Sequence, residues 1–526
     1  MYQEQPWTTA KPQAEWRAPR PYPRFPERVR SLTILQRFQG PSTGVSEPIN
    51  RESRTRTNMG SKGSNACRAH SDGSVGSCAN RRESVAYSSP VAPLHPLGNS
   101  CLAMATVTRH VIVLCYDFPP NRGIGGRRWG LLARGMADRG WRVHVIKADP
   151  LPDEDDSPWR DQVKHPNIEV HSLPRGYPQI LLYRRHRSFL GSLVDKIRFR
   201  VTLAWVRSVY PGTPYDTSLG WEPILLPCLK RITDAHPVQW MFATGAPWDM
   251  LRVAALHKKL NPQDALRLWV DFRDPWLLDE PHYGMANLSP RKYREELAKA
   301  RAIMDQADVV SAPYQPLLDT FAQAGFPLGE RPRSVVVPHY YVPSDTIPTR
   351  TLPKDGIIRI VYGGTVYSYS GPALEAMAAD LDLLRVRQPE IYARFRIDFY
   401  TSERSVVERI FANHPEVRAH AGIGLAISET VAKASWFMIL AYNKGNYPTT
   451  KYYEFQPLGT PYLHVGESLV ENLIVAENRG LAWRTFIAAC IAGEVPNPTQ
   501  FSQQASPADS LDHRVGEIEA HIESIG

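Results

Sequence analysis

From His110 onward, apolar residues fall into short unbroken runs separated by amphipathic stretches. His110 to Tyr116 (HVIVLCY) is continuously apolar, the pattern of a central parallel strand covered on both faces. A loop of Asp117, prolines and glycines follows, and then Trp129, Leu132, Ala133 and Met136 recur at helical spacing up to Gly140. Arg142 to Lys147 predicts the next strand, so the opening unit reads β-loop-α-β, the start of a doubly wound sheet. Trp240–Ala243, Leu268–Asp271 and Val309–Ala312 read as further short strands between helical stretches. A second such unit opens with Ile358–Tyr362, turns at Gly363-Gly364-Thr365, and continues through a helix over Ala373–Leu384 to a strand over Phe395–Tyr400. Trp436 to Tyr442 (WFMILAY) predicts one more buried strand.

The predicted fold is therefore α/β, with two Rossmann-like doubly wound domains facing a cleft and a disordered segment before them. The proline-rich run Pro338–Pro353 reads as the hinge between domains at 106–340 and 341–526. Residues 1–105 show no sustained period of 2 or 3.6 and are rich in Pro, Ser, Arg and Gly, a composition that buries too little apolar surface to offset chain entropy. Met104 is a candidate initiator, which would make the preceding residues upstream sequence. Prolines in that segment speak against an organelle transit peptide.

Charge changes the picture only slightly. The chain of 526 residues carries a formal +9, but residues 1–105 hold 14 Lys+Arg against 7 Asp+Glu, leaving +2 for the remainder. No nucleic-acid partner is implied. The six cysteines (67, 78, 101, 115, 228, 490) form no Cys-x-x-Cys pair, so they suggest neither a zinc site nor a disulfide framework. No apolar stretch approaches a membrane span and no apolar signal core opens the chain. A cytoplasmic protein is the expectation.

Candidate chemistry gathers in three places. In Asn446-Tyr-Pro-Thr-Thr-Lys451-Tyr-Tyr-Glu454, a helix opens at Thr449 or Thr450 after an apolar strand, a position suited to a phosphate. Lys451 adds a cation and Glu454 could accept a ribose diol. Equally, Glu454 reads as a solvated first-turn acid, although its offset from the threonines is wrong for a capping box. Asp271-Phe-Arg273-Asp274-Pro-Trp276 follows a strand, where ligands of open α/β sheets bind; Arg273 could neutralise a phosphate, or the Arg–Asp pair could simply fix a loop. The loop containing Gly123, Gly125 and Gly126 lacks the third glycine at the proper spacing and the strand-end acid of a dinucleotide fingerprint; it reads either as a loop that lets a ligand approach the backbone or as a flexible turn. Residues 183–210 mix Arg184, Arg185, Arg187, Lys196, Arg198, Arg200 and Arg207 with apolar positions. They suit either an anionic membrane surface or a helix with a solvated basic face.

Taken together, "YDFPPNRGIGGRRWGLLARGMADRGWRVHVI", "LWVDFRDPW", "IVYGGTVYS" and "TTKYYEFQPLGTPYL" resemble, in the right order, the GT-B fold glycosyltransferases of the family 4 type, in particular a bacterial surface-polysaccharide subgroup. The resemblance covers roughly residues 108–500. It implies a retaining, metal-independent hexosyltransferase without a cofactor, using a nucleotide sugar as substrate and a glycan or lipid-linked acceptor. It places Glu454 on the donor ribose and Lys451, Thr450, Gly364 and Thr365 at the diphosphate. The Gly125-Gly126 loop would face the cleft, and Arg273, Asp274 and Asp271 would sit at the chemistry. A location at the inner face of the membrane would follow from the basic segment. Several positions depart from the family pattern. Asn446 stands where a second acid is common, residues 367–371 lack the usual basic side chain, Arg273 replaces a frequent histidine, and His339-Tyr340 replaces Asn-Gly. These departures keep open a non-catalytic scaffold that binds nucleotide sugar or partner enzymes, and a hydrolase or epimerase on the same fold.

Overall fold

The computed structural model describes residues 109–525 apart from 122, 152–156, 158, 183–188, 278–284, 327, 330–331, 344–349, 368–369, 423–433, 442–447, 467 and 503. The expectations placed on 1–105, on Met104, on Arg184, Arg185 and Arg187, and on Asn446 lie outside these residues.

Two parallel sheets organise the chain. The first is built from β1 (His110–Leu114), β2 (Arg142–Ala148), β3 (Ile168–Leu173), β4 (Val238–Gly245), β5 (Arg267–Phe272), β6 (Val309–Ala312) and β7 (Arg333–Val336). Its spatial order is β3-β2-β1-β4-β5-β6-β7. The second contains β8 (Ile358–Gly363), β9 (Phe395–Tyr400), β10 (Val417–His420), β11 (Phe437–Ala441), β12 (Tyr462–Val465) and β13 (Gly480–Ala482), in the order β10-β9-β8-β11-β12-β13. Every strand pairing is parallel. Each sheet thus runs outward in both directions from its first strand, the doubly wound order expected from the sequence. In each, the winding reverses beside the first strand, between β1 and β4 in one half and between β8 and β11 in the other, and the strand carboxyl ends there are where open α/β sheets take their ligands.

Both faces of the first sheet are covered. One core packs Ile112, Leu114 and Ile146 with Trp221, Trp248 and Phe272; the other packs Val111, Val113 and Val145 with Trp129, Phe242 and Trp269. Successive strand residues point to opposite faces, which is why the runs are continuously apolar rather than alternating.

The helix Leu511–Ile525 returns to the first half. Its Leu511, Val515, Ile518 and Ile522 are buried in the core beside the helix Ile124–Asp138, where Gly135 lets Val515 come close. Arg139 and Trp141 both bond Glu519, at 3.1 and 2.7 Å. The boundary drawn from sequence put this helix with residues 341–526; its apolar stripe and these polar ties attach it to the N-terminal half instead. The chain crosses between halves twice, and the crossings lie side by side: Tyr341 N–H donates to Asp509 O and Leu511 N–H to Tyr341 O, at 2.9 and 2.8 Å.

Candidate functional site

In the second half the crevice between β8 and β11 is bounded by the predicted glycine turn on one side and the predicted Lys451 helix on the other. That helix spans Thr450–Glu454, and Thr449 at its N-cap makes no side-chain capping bond. Five residues make a weak dipole, so the ammonium of Lys451, not the helix, is the principal positive charge here. Gly364 has φ +134°, and a Cβ there would sit 2.2 Å from Lys451 Nζ. No residue with a side chain would leave the lysine that place. Nζ lies 3.4 Å from the Tyr362 hydroxyl and 4.7 Å from the centre of its ring. Burial pulls the Lys451 ammonium down to about 8, against the attraction of Tyr367, Glu454 and Glu403. Beside the turn, Glu403 accepts from Val366 N–H at 3.1 Å and Thr401 Oγ1 at 2.8 Å, which fixes the loop's path. Thr365 is exposed and Thr450 half-buried, both at the rim.

Glu454 does not point into open solvent. Its carboxylate is paired with Arg127, which stands in the first turn of the helix Ile124–Asp138 in the other half. Burial pushes the Glu454 carboxyl up, opposed by Arg127 and Lys451. Arg127 also donates to Gln162 Oε1 at 3.1 Å. With Arg128, Leu131, His339, Tyr340 and Thr450 this pair encloses a cavity of ≈ 20 Å³, room for about one water. The ion pair therefore closes the two halves upon each other at the place where Glu454 would meet a ligand. Arg127 was not singled out in the sequence; a basic residue directly after the glycine loop is the only signal it leaves there.

The N-terminal crevice holds the other predicted residues. Arg273 Nε donates to Asp274 Oδ2 at 3.1 Å and its Nη2 to the carbonyl of Ala246 after β4. A Cβ on Gly125 would lie 1.5 Å from Arg273 Nη1, and one on Gly126 would lie 1.7 Å from Asp117 O. The loop glycines were read as room for a ligand. At Gly125 the group that comes close is the Arg273 guanidinium, so loop and motif form one surface.

Asp271 faces inward, fully buried. It accepts from Trp129 Nε1 (2.6 Å), Thr244 Oγ1 (3.1 Å) and Ser311 Oγ (2.8 Å), with Arg128 Nη2 at 3.6 Å. Both of its oxygens are engaged within the core, so the arrangement gives it a positioning role rather than access to substrate. Arg128 is also buried; it donates to Val337 O and Pro338 O and so ties the glycine-loop helix to the segment that leaves β7. Trp276 is anchored by Glu296, which accepts from Trp276 Nε1 at 2.9 Å and from Thr213 N–H at 2.7 Å. His339 is held well below the usual histidine range by burial and by Arg128 and Arg273, so it is a neutral ring beside the cavity.

No family model and no curated protein sequence matches the chain. Among solved structures it is similar to HepE of Anabaena in complex with UDP and glucose, at 13% identity and a TM-score of 0.48 over 79% of this chain and 99% of that one. It is similar to the E. coli trehalose-6-phosphate structure bound with UDP-2-fluoro glucose, at 12% identity and a TM-score of 0.49 over 79% and 96%. It is also similar to UDP-GlcNAc 2-epimerase of Methanocaldococcus jannaschii, at 8% identity and a TM-score of 0.44 over 80% and 100%. These likenesses concern the course of the chain, four-fifths of which they span.

Proposed function

We propose that this protein is a GT-B glycosyltransferase that moves a sugar from a nucleotide-sugar donor to a glycan or lipid-linked acceptor in polysaccharide assembly. One observation carries the reading: at the turn of the winding between β8 and β11 the bare backbone of Gly364 faces a lysine whose charge is disfavoured there, with a half-buried acid one helical turn further on. A desolvated, half-buried ammonium gains most when an anion arrives, and a diphosphate is such an anion. In this reading Lys451 neutralises the leaving diphosphate, beside Gly364, Thr365 and Thr450. Glu454, released by Arg127, accepts from the ribose hydroxyls.

Arg273 and Asp274, on the opposite wall with Gly125 and Gly126, position the acceptor. Donor binding would exchange the Arg127–Glu454 pair for ligand contacts, so most of the rate gain comes from positioning and charge neutralisation. Retention of configuration and metal independence belong to the same proposal; Lys451, Arg127 and Arg273 are the cations that could meet the charge developing on the leaving group.

Membrane contact through residues 183–210, and hence a place at the inner face of the membrane, is part of the reading. The helix Phe189–Val209 leaves Leu193, Val194, Ile197 and Val201 exposed, by 53%, 53%, 56% and 65%, among exposed Lys196, Arg198, Arg200 and Arg207. Apolar and basic residues side by side on a free helix surface suit an anionic lipid interface. No helix among the described residues is long and apolar enough to cross a membrane.

The Arg127–Glu454 pair also favours a second reading, since an acid already paired suits a scaffold that binds without turnover. The test is the melting temperature of the full chain with UDP-, GDP-, ADP- and dTDP-sugars, beside Glu454→Ala. One donor should stabilise the wild type and not the variant, and be consumed only when an acceptor sugar is supplied. Stabilisation without turnover would select the scaffold. Turnover without an acceptor would select hydrolysis or epimerisation, and no stabilisation by any donor would overturn the site.

A further inference from the structure

At the opposite end of the first sheet, where its strands begin, four histidines and a glutamate converge. The alternation of strand side chains puts His110 of β1, His144 of β2, and Glu169 and His171 of β3 on one face, since Ile112 pairs with His144, His144 with Glu169, and Ile146 with His171. His236, directly after the helix Glu222–Ala235, closes over them from the connection into β4. Imidazole nitrogens of His110, His144 and His236 all lie within 4.8 Å of one another. His110 Nδ1 and His144 Nε2 are 3.1 Å apart. The His144 ring is stacked on those of His236 and His110, at 4.4 and 5.4 Å between centroids.

Packing alone explains this poorly. His144 is fully buried between Val143 and Val145, and its Nδ1 has no hydrogen-bond partner, a costly way to fill a core position. Two imidazole nitrogens sharing a tetrahedral zinc ion at 2.0–2.1 Å stand about 3.3 Å apart, close to the separation of His110 and His144. Glu169 Oε2 lies 3.6 Å from His144 Nδ1. A small approach would make that the carboxylate–imidazole–metal arrangement in which the second ring nitrogen donates to an acid and the first is left to the ion. Arg142, the nearest competing cation on β2, is occupied by Pro166 O at 2.9 Å.

We infer that His110, His144 and His236 form a binding site for a borderline divalent transition metal such as Zn²⁺, with Glu169 orienting His144. Three nitrogen donors match zinc, nickel and cobalt rather than magnesium or calcium, which prefer oxygen. The ion would join the start of β1, the interior of β2 and the entry to β4, three segments far apart in sequence, and lies away from the nucleotide crevices. It is a staple for the N-terminal sheet and is independent of the sugar-transfer reading.

The test uses the full chain, stripped with a chelator and titrated with Co²⁺ alone, read by its visible absorption, with Zn²⁺ calorimetry beside it. One Co²⁺ per chain with the intense spectrum of a four-coordinate nitrogen site is expected, and saturating Zn²⁺ should raise Tm by roughly 2–5 °C. His110→Asn and His236→Asn, at half-exposed positions that the fold tolerates, should each weaken binding on the order of 100-fold, and Glu169→Gln about tenfold. Absence of stoichiometric Co²⁺ binding would overturn the site. So would binding that survives both histidine variants, because the ion would then be held elsewhere.

Discussion

The two crevices of this molecule are built from the same winding but finished in opposite ways. Between β1 and β4 the charged groups of the Asp271–Asp274 motif have internal partners: Asp271 is bonded to Trp129, Thr244 and Ser311, and Arg273 is held against Gly125, Ala246 O and Asp274. Between β8 and β11 burial pulls Lys451 down and pushes Glu454 up, the ion-pair partner of Glu454 comes from the other half, and Lys451 faces the bare backbone of Gly364. A satisfied polar network gives rigidity. An unsatisfied one stores unfavourable free energy that a ligand can relieve. The first wall therefore reads as a fixed platform and the second as the seat of an anion.

Breaking the platform should have the largest effect. Asp271→Ala leaves Arg128 without its buried counter-charge and strands an indole N–H and two hydroxyls, so about 3–5 kcal/mol of stability should vanish in urea titrations. A loss below about 1 kcal/mol would mean that the network is not what holds this wall.

At the other wall the reverse is expected. Lys451→Met should leave unliganded stability unchanged or slightly higher, while nucleotide-sugar affinity falls roughly 30–100-fold by calorimetry. The pH dependence sharpens the point. The Lys451 pKa is depressed to about 8, so the ammonium is present below that value and lost above it. A bound anion favours the protonated form, so wild-type affinity should be highest below pH 8 and drop by up to about tenfold per unit as pH rises above 8. Lys451→Met should be flat across that window; a flat wild-type profile would remove the lysine from the ligand.

The smallest effect concerns the clasp between the walls. Arg127→Ala frees Glu454, so donor affinity should tighten several-fold, in line with about 1 kcal/mol for a partly exposed pair. Weaker binding would instead put Arg127 itself on the donor.

What could be read from the sequence followed from how local the signal was. Val309–Ala312 and Phe395–Tyr400 are strands with the predicted bounds: the first is buried along its whole length, and the second alternates buried Phe395, Ile397 and Phe399 with half-buried Arg396, Asp398 and Tyr400. Ile168–Leu173 went unread: at the sheet edge it alternates Glu169, His171 and Ser172 with apolar residues and is largely exposed. Val417–His420 and Gly480–Ala482 are too short to carry a period. At the site, Lys451 and Gly364 were named from their own motifs, but nothing in either motif says that one fills the space the other leaves. Arg127 and Arg128 were missed because their partners, Glu454 and the hinge carbonyls, lie hundreds of residues away. The histidines escaped for the same reason, since their convergence depends on strand order and register, which spacing along the chain does not encode.

The returning helix has a consequence for how the protein is made. Leu511, Val515, Ile518 and Ile522 fill one core of the first half, and burying side chains of this kind contributes up to about 1.5–3 kcal/mol each. On a ribosome, which extends chains from the N-terminus, that seam stays uncovered until some 400 residues beyond Arg109 have been added. The half that starts first is thus finished last. The apolar groove beside Trp129 and Val113 stays open during synthesis, and a ribosome that stalls anywhere in the second half releases a first half that lacks this wall.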